Sequence, residues 1–240
     1  MTRFVSFPLA LTTALTLSLT ACGGDDKENV AASTTTAVPS TPSAAPPPTG
    51  PVVRTTAELT KALLALSDLP PGFSQEKAEP DTGEKPFSSV SSRCKTLVKY
   101  LNATKAPGSK ASVTRSFAGG QEGPYIDFGL DAMGTVAKVA ELQEEFEDAV
   151  DSCPKVTLKV EGEGSTSMKV EKITAPQVGT GPFAFQLTGT SGPKRGLEAS
   201  FATAGVNDVV VSVSVLAGQG ELEAATEAAV TKARHVLKPA

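Results

Sequence analysis

The apolar positions of the chain follow two periods. Thr55-Thr56-Ala57-Glu58 has the form of a capping box, and Leu59, Ala62, Leu63 and Leu66 follow at helical steps. "DLPPGF" stops this helix, because proline cannot continue it and glycine turns it. A loop rich in Pro, Gly and charge runs from Ser74 to Pro86. Ser91 or Ser92 then caps a second, short helix with Cys94, Leu97, Val98 and Leu101 on one face. A long helix is predicted from about Thr135 to Ser152. Its stripe is Val136, Val139, Ala140, Phe146, Val150 and Cys153, with Glu141, Glu144, Glu145 and Asp148 on the other side. A last helix covers about Glu221 to Leu237, with Leu222, Ala225, Ala229, Ala233 and Val236 inward.

Between these helices the period drops to two. "ASVTRSFAG" and "YIDFGLDAM" precede the long helix. "KVTLKVE", "STSMKVEKI", "PFAFQLTG", "RGLEASFAT" and "DVVVSVSVLAG" follow it, punctuated by Gly, Pro or Asn-Asp. Consecutive strands with short turns favour antiparallel pairing, and segregated helices and strands make the class α+β. The expectation is an antiparallel sheet of about six to seven strands, packed on one face by helices. In the last strand Val209, Val211, Val213 and Val215 form the face to be covered. The Ser/Thr-bearing face, with Ser112, Thr114 and Ser116 on another strand, is expected to be open or grooved.

The N-terminal stretch has neither period. Arg3 precedes an apolar run to about Ala21, closed by Leu19-Thr20-Ala21-Cys22. This is the layout of a secretory signal peptide, and the closing box resembles the bacterial lipobox. The resemblance implies that residues 1–21 are removed and that Cys22 is lipidated and becomes the new N-terminus. The run is short and Thr-rich for a span of ~30 Å of hydrocarbon. Two or three acyl chains on Cys22 would anchor the protein stably. Residues 22–54, including "STTTAVPSTPSAAPPPTGP", cannot bury enough apolar area to offset ordering entropy and read as a disordered tether. At ~3.1 Å per residue in polyproline form, such a tether reaches on the order of 100 Å. One domain remains, residues 55–240.

Charge and cysteines narrow the classes. The formal charge is −4, and losing Arg3 leaves 21 basic against 26 acidic residues. No basic stripe exists to neutralise phosphates, so nucleic acid is not an expected partner. Of three cysteines, Cys22 is expected to carry lipid. Export then favours a disulfide between the other two, Cys94 and Cys153. Closing a loop of ~60 residues is worth ~4 kcal/mol on the chain-entropy model. A metal is not expected, since two thiols without nearby histidine supply too few ligands.

Catalytic patterns are weak. The one histidine, His235, points away from the stripe of the last helix. No G-x-S-x-G elbow accompanies it. Gly179-Thr180-Gly181-Pro182-Phe183-Ala184 fits a loose G-x-G-x-x-A, but proline and a strand follow where a helix is required, so it reads as a turn. The long-helix carboxylates read as a solvated face. No enzyme activity and no cofactor are expected.

The layout as a whole resembles the PknH-like extracellular sensor domain. The elements that carry the resemblance are the anchor and tether, a helix ending in "LALSDLPPGF", a helical Cys94, paired strands, a long helix ending in "DAVDSCPKV", and valine-rich strands. That family occurs outside the membrane on some actinobacterial serine/threonine kinases and as stand-alone lipoproteins. The resemblance covers roughly residues 56–237. It implies a helix-and-antiparallel-sheet fold with a cleft, and a ligand-binding role without established catalysis. Cys94 and Cys153 match one of the family's disulfides, and a second pair found in some members is missing. No ligand residue carries over. The expected protein is a cell-envelope lipoprotein on the outer face of the membrane. It binds an unknown small molecule, lipid or envelope protein, or alternatively carries a lipid or glycolipid in a hydrophobic cavity.

Overall fold

The computed structural model describes residues 51–77, 83–218 and 220–239. The expected signal peptide, Cys22 and the tether up to residue 50 lie outside the described residues. The elements follow in the order α1 (Thr56–Ala62), β1 (Ser74–Gln75), β2 (Phe87–Ser88), α2 (Lys95–Leu101), β3 (Ala111–Ala118), β4 (Tyr125–Ala132), α3 (Val136–Ser152), β5 (Lys155–Val160), β6 (Gly164–Lys172), β7 (Thr180–Ser191), β8 (Glu198–Val206), β9 (Val209–Leu216) and α4 (Glu221–Val236). All strands join one antiparallel sheet in the order β1-β3-β4-β9-β8-β7-β6-β5-β2. After the β3–β4 hairpin, α3 carries the chain to the far side of the sheet. The meander β5 to β9 then returns until β9 pairs with β4.

The class is α+β, as the two periods predict, and the seven patterned strands are all present. The sheet has nine strands because the stretch read as a loop has a two-residue strand at each end. These pair with β3 and β5 at opposite edges, and two residues are too few to show alternation. The expectation of helices on one face is corrected. Even-numbered residues of β7 and β8 and odd-numbered residues of β9 join α1 and α4 in one core, which includes Ala184, Ala202, Val211 and Val213. Phe183, Phe185 and Leu187 project the other way and bury against α2 and α3. Phenylalanine on alternate positions of β7 makes both faces apolar, so both need a cover.

The helices differ from the pattern in detail. Thr55 and Glu58 form the capping box. However, α1 ends at Ala62 and a tight turn over Leu66–Asp68 leaves Leu66 43% exposed. Ser91 precedes the turn Ser92–Cys94 but makes no side-chain cap. Val136 is 59% exposed at the first turn of α3, and Ala140 is also exposed. Buried Gln143 takes the place on that stripe that an apolar residue was expected to fill. Its Nε2 donates to the carbonyls of Thr180 and Gly181, at 2.9 and 2.7 Å. Those carbonyls belong to a bulge at the start of β7, within the Gly179–Ala184 stretch that the sequence reads as a turn. Gly179 and Gly181 have φ of 76° and 54°. A Cβ on Gly181 would lie 2.8 Å from the Gln143 amide oxygen, so both backbone and space demand glycine.

Residues Val52 and Arg54, which the sequence assigns to the tether, are bonded into the domain. Val52 N–H donates to the Gly134 carbonyl at 2.7 Å. Arg54 Nη2 and Nε donate to Asp208 Oδ1 at 2.8 and 3.0 Å, and Nη2 also donates to the Lys238 carbonyl at 2.9 Å. The two side chains are 9% and 3% exposed. The pair ties the chain entry, the β8–β9 turn and the end of α4 together. Removing one partner of a buried pair strands the other charge, which costs about 3–5 kcal/mol. Arg54→Ala should therefore lower stability by about 3 kcal/mol in urea denaturation, and Arg54→Ala with Asp208→Asn should recover part of it. A loss below about 0.5 kcal/mol would mean that water screens the pair.

Candidate functional site

The sheet face that receives α2 and α3 is only partly covered. α3 packs on β6, β7, β8 and β9. Toward β3 and β4 the face turns more polar in successive cross-strand rows. One row runs Ser116, Asp127, Ser214 and Phe201, the next Thr114, Gly129, Ser212 and Thr203, and the third Ser112, Asp131, Val210 and Gly205. In the outer row Ser214 Oγ donates to Asp127 Oδ2 at 3.0 Å. The middle row has a gap at Gly129, where a Cβ would lie 2.4 Å from Ser212 Oγ.

A half-open cavity of about 230 Å³ stands on the middle and third rows. Thr114, Ser212 and Thr203 form its floor, with Asp131 and Val210 beside them. Leu142 and Phe146 of α3 form one wall, Tyr100 of α2 another, and the 103–107 loop a third. One hydroxyl in this lining, Thr203 Oγ1, is buried without a hydrogen-bond partner, and Tyr100 Oη is buried with the Glu145 carboxylate beside it. Buried hydroxyls without partners are rare in folded proteins and each needs an explanation. Asp131 is buried, and its Oδ1 accepts from the Ala106 N–H at 3.1 Å, which fixes the loop against the floor.

Tyr100 reaches the cavity because α2 is held at both ends. Seven residues form too short a helix to be stable alone. At its start, Cys94 is joined by a disulfide to Cys153 at the end of α3. At its finish, Asn102 Oδ1 accepts from the Phe87 N–H, and its Nδ2 donates to the carbonyls of Phe87 and Val98. The Tyr100 ring meets Phe146 edge-on at 5.1 Å, and Phe146 in turn packs edge-on against Phe183 and Phe185. Burial, and then the Glu145 side chain, raise the Tyr100 phenol well above its ordinary value.

Of the residues singled out from sequence, the structure brings Cys94 and Cys153 together and leaves His235 exposed near the end of α4, on the sheet face opposite α3. Thr114 and Ser212 belonged to the expected polar face. Tyr100, Asp131 and Thr203 were not identified from sequence. Asp131 continues the regular alternation of β4 after Asp127 and Gly129, and Thr203 follows Ala199 and Phe201 on one side of β8, so neither stood out. Nothing local marked Tyr100. Among the described residues no three His, Cys, Asp or Glu side chains converge as a metal site, and no helix is long and apolar enough to cross a membrane.

The fold is similar to a solved one. The crystal structure of the extracellular domain of PknH from Mycobacterium tuberculosis superposes with a TM-score of 0.59 at 16% identity. The match covers 79% of this chain and 99% of that one. The expected likeness is therefore present at the level of the fold. No protein-family model and no curated protein matches the chain.

Raising the phenol has a measurable consequence. A group whose proton is held more tightly in the folded state contributes stability that is lost as pH rises past its unfolded value, here about 10. Tyr100 should stay un-ionised in the folded protein above that pH. The difference in phenolate absorbance between wild type and Tyr100→Phe should appear only with unfolding. Ionisation of Tyr100 near the ordinary value in the folded protein would refute its burial.

Proposed function

We propose that the protein is a lipid-anchored cell-envelope protein that presents a non-catalytic, sensor-like binding domain outside the membrane. The observation that carries this reading is the cavity beneath Tyr100, with the Thr203 hydroxyl buried and lacking a partner in the protein. A ligand that bonds it would recover a desolvation cost of about 1–3 kcal/mol. The likeness in fold to an extracellular domain supports the placement. So do the disulfide and the lipobox-like Leu19-Thr20-Ala21-Cys22.

The cavity supports ligand binding better than it supports chemistry. His235 is remote from it, and Asp131 already accepts a loop N–H. It also weighs against a lipid carrier. At about 230 Å³ it holds roughly one small ring and not a pair of acyl chains, and its floor is polar.

Two experiments test the reading. In native mass spectrometry, protein purified from its own host should carry a small-molecule adduct that denaturation releases. Repeated recovery of the bare polypeptide mass counts against it. A pair of acyl chains extracted at one per protein, beyond those on Cys22, would establish the carrier instead. Separately, Cys22→Ser should move the protein from the membrane fraction to the soluble fraction. Unchanged membrane retention would refute the lipid anchor.

A further inference from the structure

We propose that the ligand of this cavity is an uncharged, hydroxyl-bearing ring of monosaccharide size, an inference that rests on the binding role proposed above. Size comes first. An apolar cavity of about 150 Å³ takes a benzene-sized ring. About 230 Å³ therefore suits one substituted ring and excludes a long chain or a two-ring ligand lying fully inside.

The polar groups choose the chemistry. Thr203 Oγ1 is unpartnered, Tyr100 Oη is buried beside Glu145, and Thr114 and Ser212 place two more hydroxyls on the cross-strand row of Thr203. A hydroxyl both donates and accepts. A ligand whose own groups do both satisfies the row in either direction, whereas a pure acceptor or pure donor leaves lone pairs or hydrogens unmet. Asp131, as a carboxylate, accepts only, and one oxygen already takes the Ala106 N–H. Its remaining capacity calls for donors, which ligand hydroxyls supply. The same carboxylate, with Glu145 beside Tyr100, repels phosphates and acids.

The third requirement is a ligand with an apolar side. Leu142 and Phe146 face the hydroxyl floor across the cavity, and Val210 adds an apolar edge to the floor itself. A ring polyol has C–H-rich surfaces as well as hydroxyls and meets both linings. The one cation in the lining, Lys105, is exposed at the mouth, so no buried positive charge recruits an anion.

The test uses the full mature chain made soluble by Cys22→Ser, isotope-labelled and followed by amide chemical shifts. The probes are glucose, N-acetylglucosamine and myo-inositol. The controls are toluene, choline, hexanoate and inorganic phosphate. At least one polyol should saturably shift the amides of Thr114, Gly129, Thr203 and Ser212, and the controls should not. Thr203→Val should weaken that binding roughly three- to tenfold. Its thermal midpoint should be unchanged or higher, because the variant loses a buried hydroxyl that had no partner. Ser212→Ala serves as a second variant if Thr203→Val misfolds. If a control shifts these amides and no polyol does, the ligand class is wrong and the binding role stands. If nothing shifts them, the ligand class is also overturned, and the adduct measured on host-purified protein still judges the binding role separately.

Discussion

The alternation of side chains across one antiparallel sheet is the constraint on which the rest of this structure depends. Each strand sends successive residues to opposite faces, so the choice of apolar positions decides where every helix can sit. On one face Phe117, Phe128, Leu130 and the valines of β9 are unbroken, and α1 and α4 close over them. On the other face the apolar set is concentrated on β5–β8, where Phe183, Phe185 and Leu187 meet α3, with Val210 of β9 packed against Val139. Shifting β7 by one residue would exchange these sets and uncouple both layers.

The cavity follows from a mismatch of lengths. Nine strands spaced about 4.8 Å apart make a sheet about 38 Å wide. A helix of 17 residues is about 26 Å long. One such helix cannot cover the face. The strands beyond it carry Ser, Thr, Asp and Gly, so the uncovered part tolerates water and leaves room for a guest. What would be a defect in a core becomes a floor of hydroxyls on a rigid frame.

That frame is braced from outside the sheet. The Cys94–Cys153 bridge and Asn102 hold α2 and therefore Tyr100, while Arg54 clamps the chain entry to the β8–β9 turn. Neither brace lies in the cavity. Each restricts an element that would otherwise move, and a wall that does not move costs a ligand less ordering entropy on binding.

The sequence by itself determined the elements. The period of three to four in Leu222, Ala225, Ala229 and Ala233, and the period of two in Val209 to Val215, are set by neighbours in the chain. These local rules placed all four helices, the seven long strands and the α+β class. They also marked Ser112, Thr114 and Ser116 as a polar face. Tertiary structure decided what no local rule reaches: that β1 and β2 close opposite edges, that helices cover both faces, that Gln143 is buried to hold a bulge, and that Tyr100 of α2 stands over Thr203 of β8. The physical reason is range. Periodicity is written within ten or so residues. The cavity is made where strands from residues 111 to 216 and a short helix near residue 100 meet, and that depends on the order in which the strands pair.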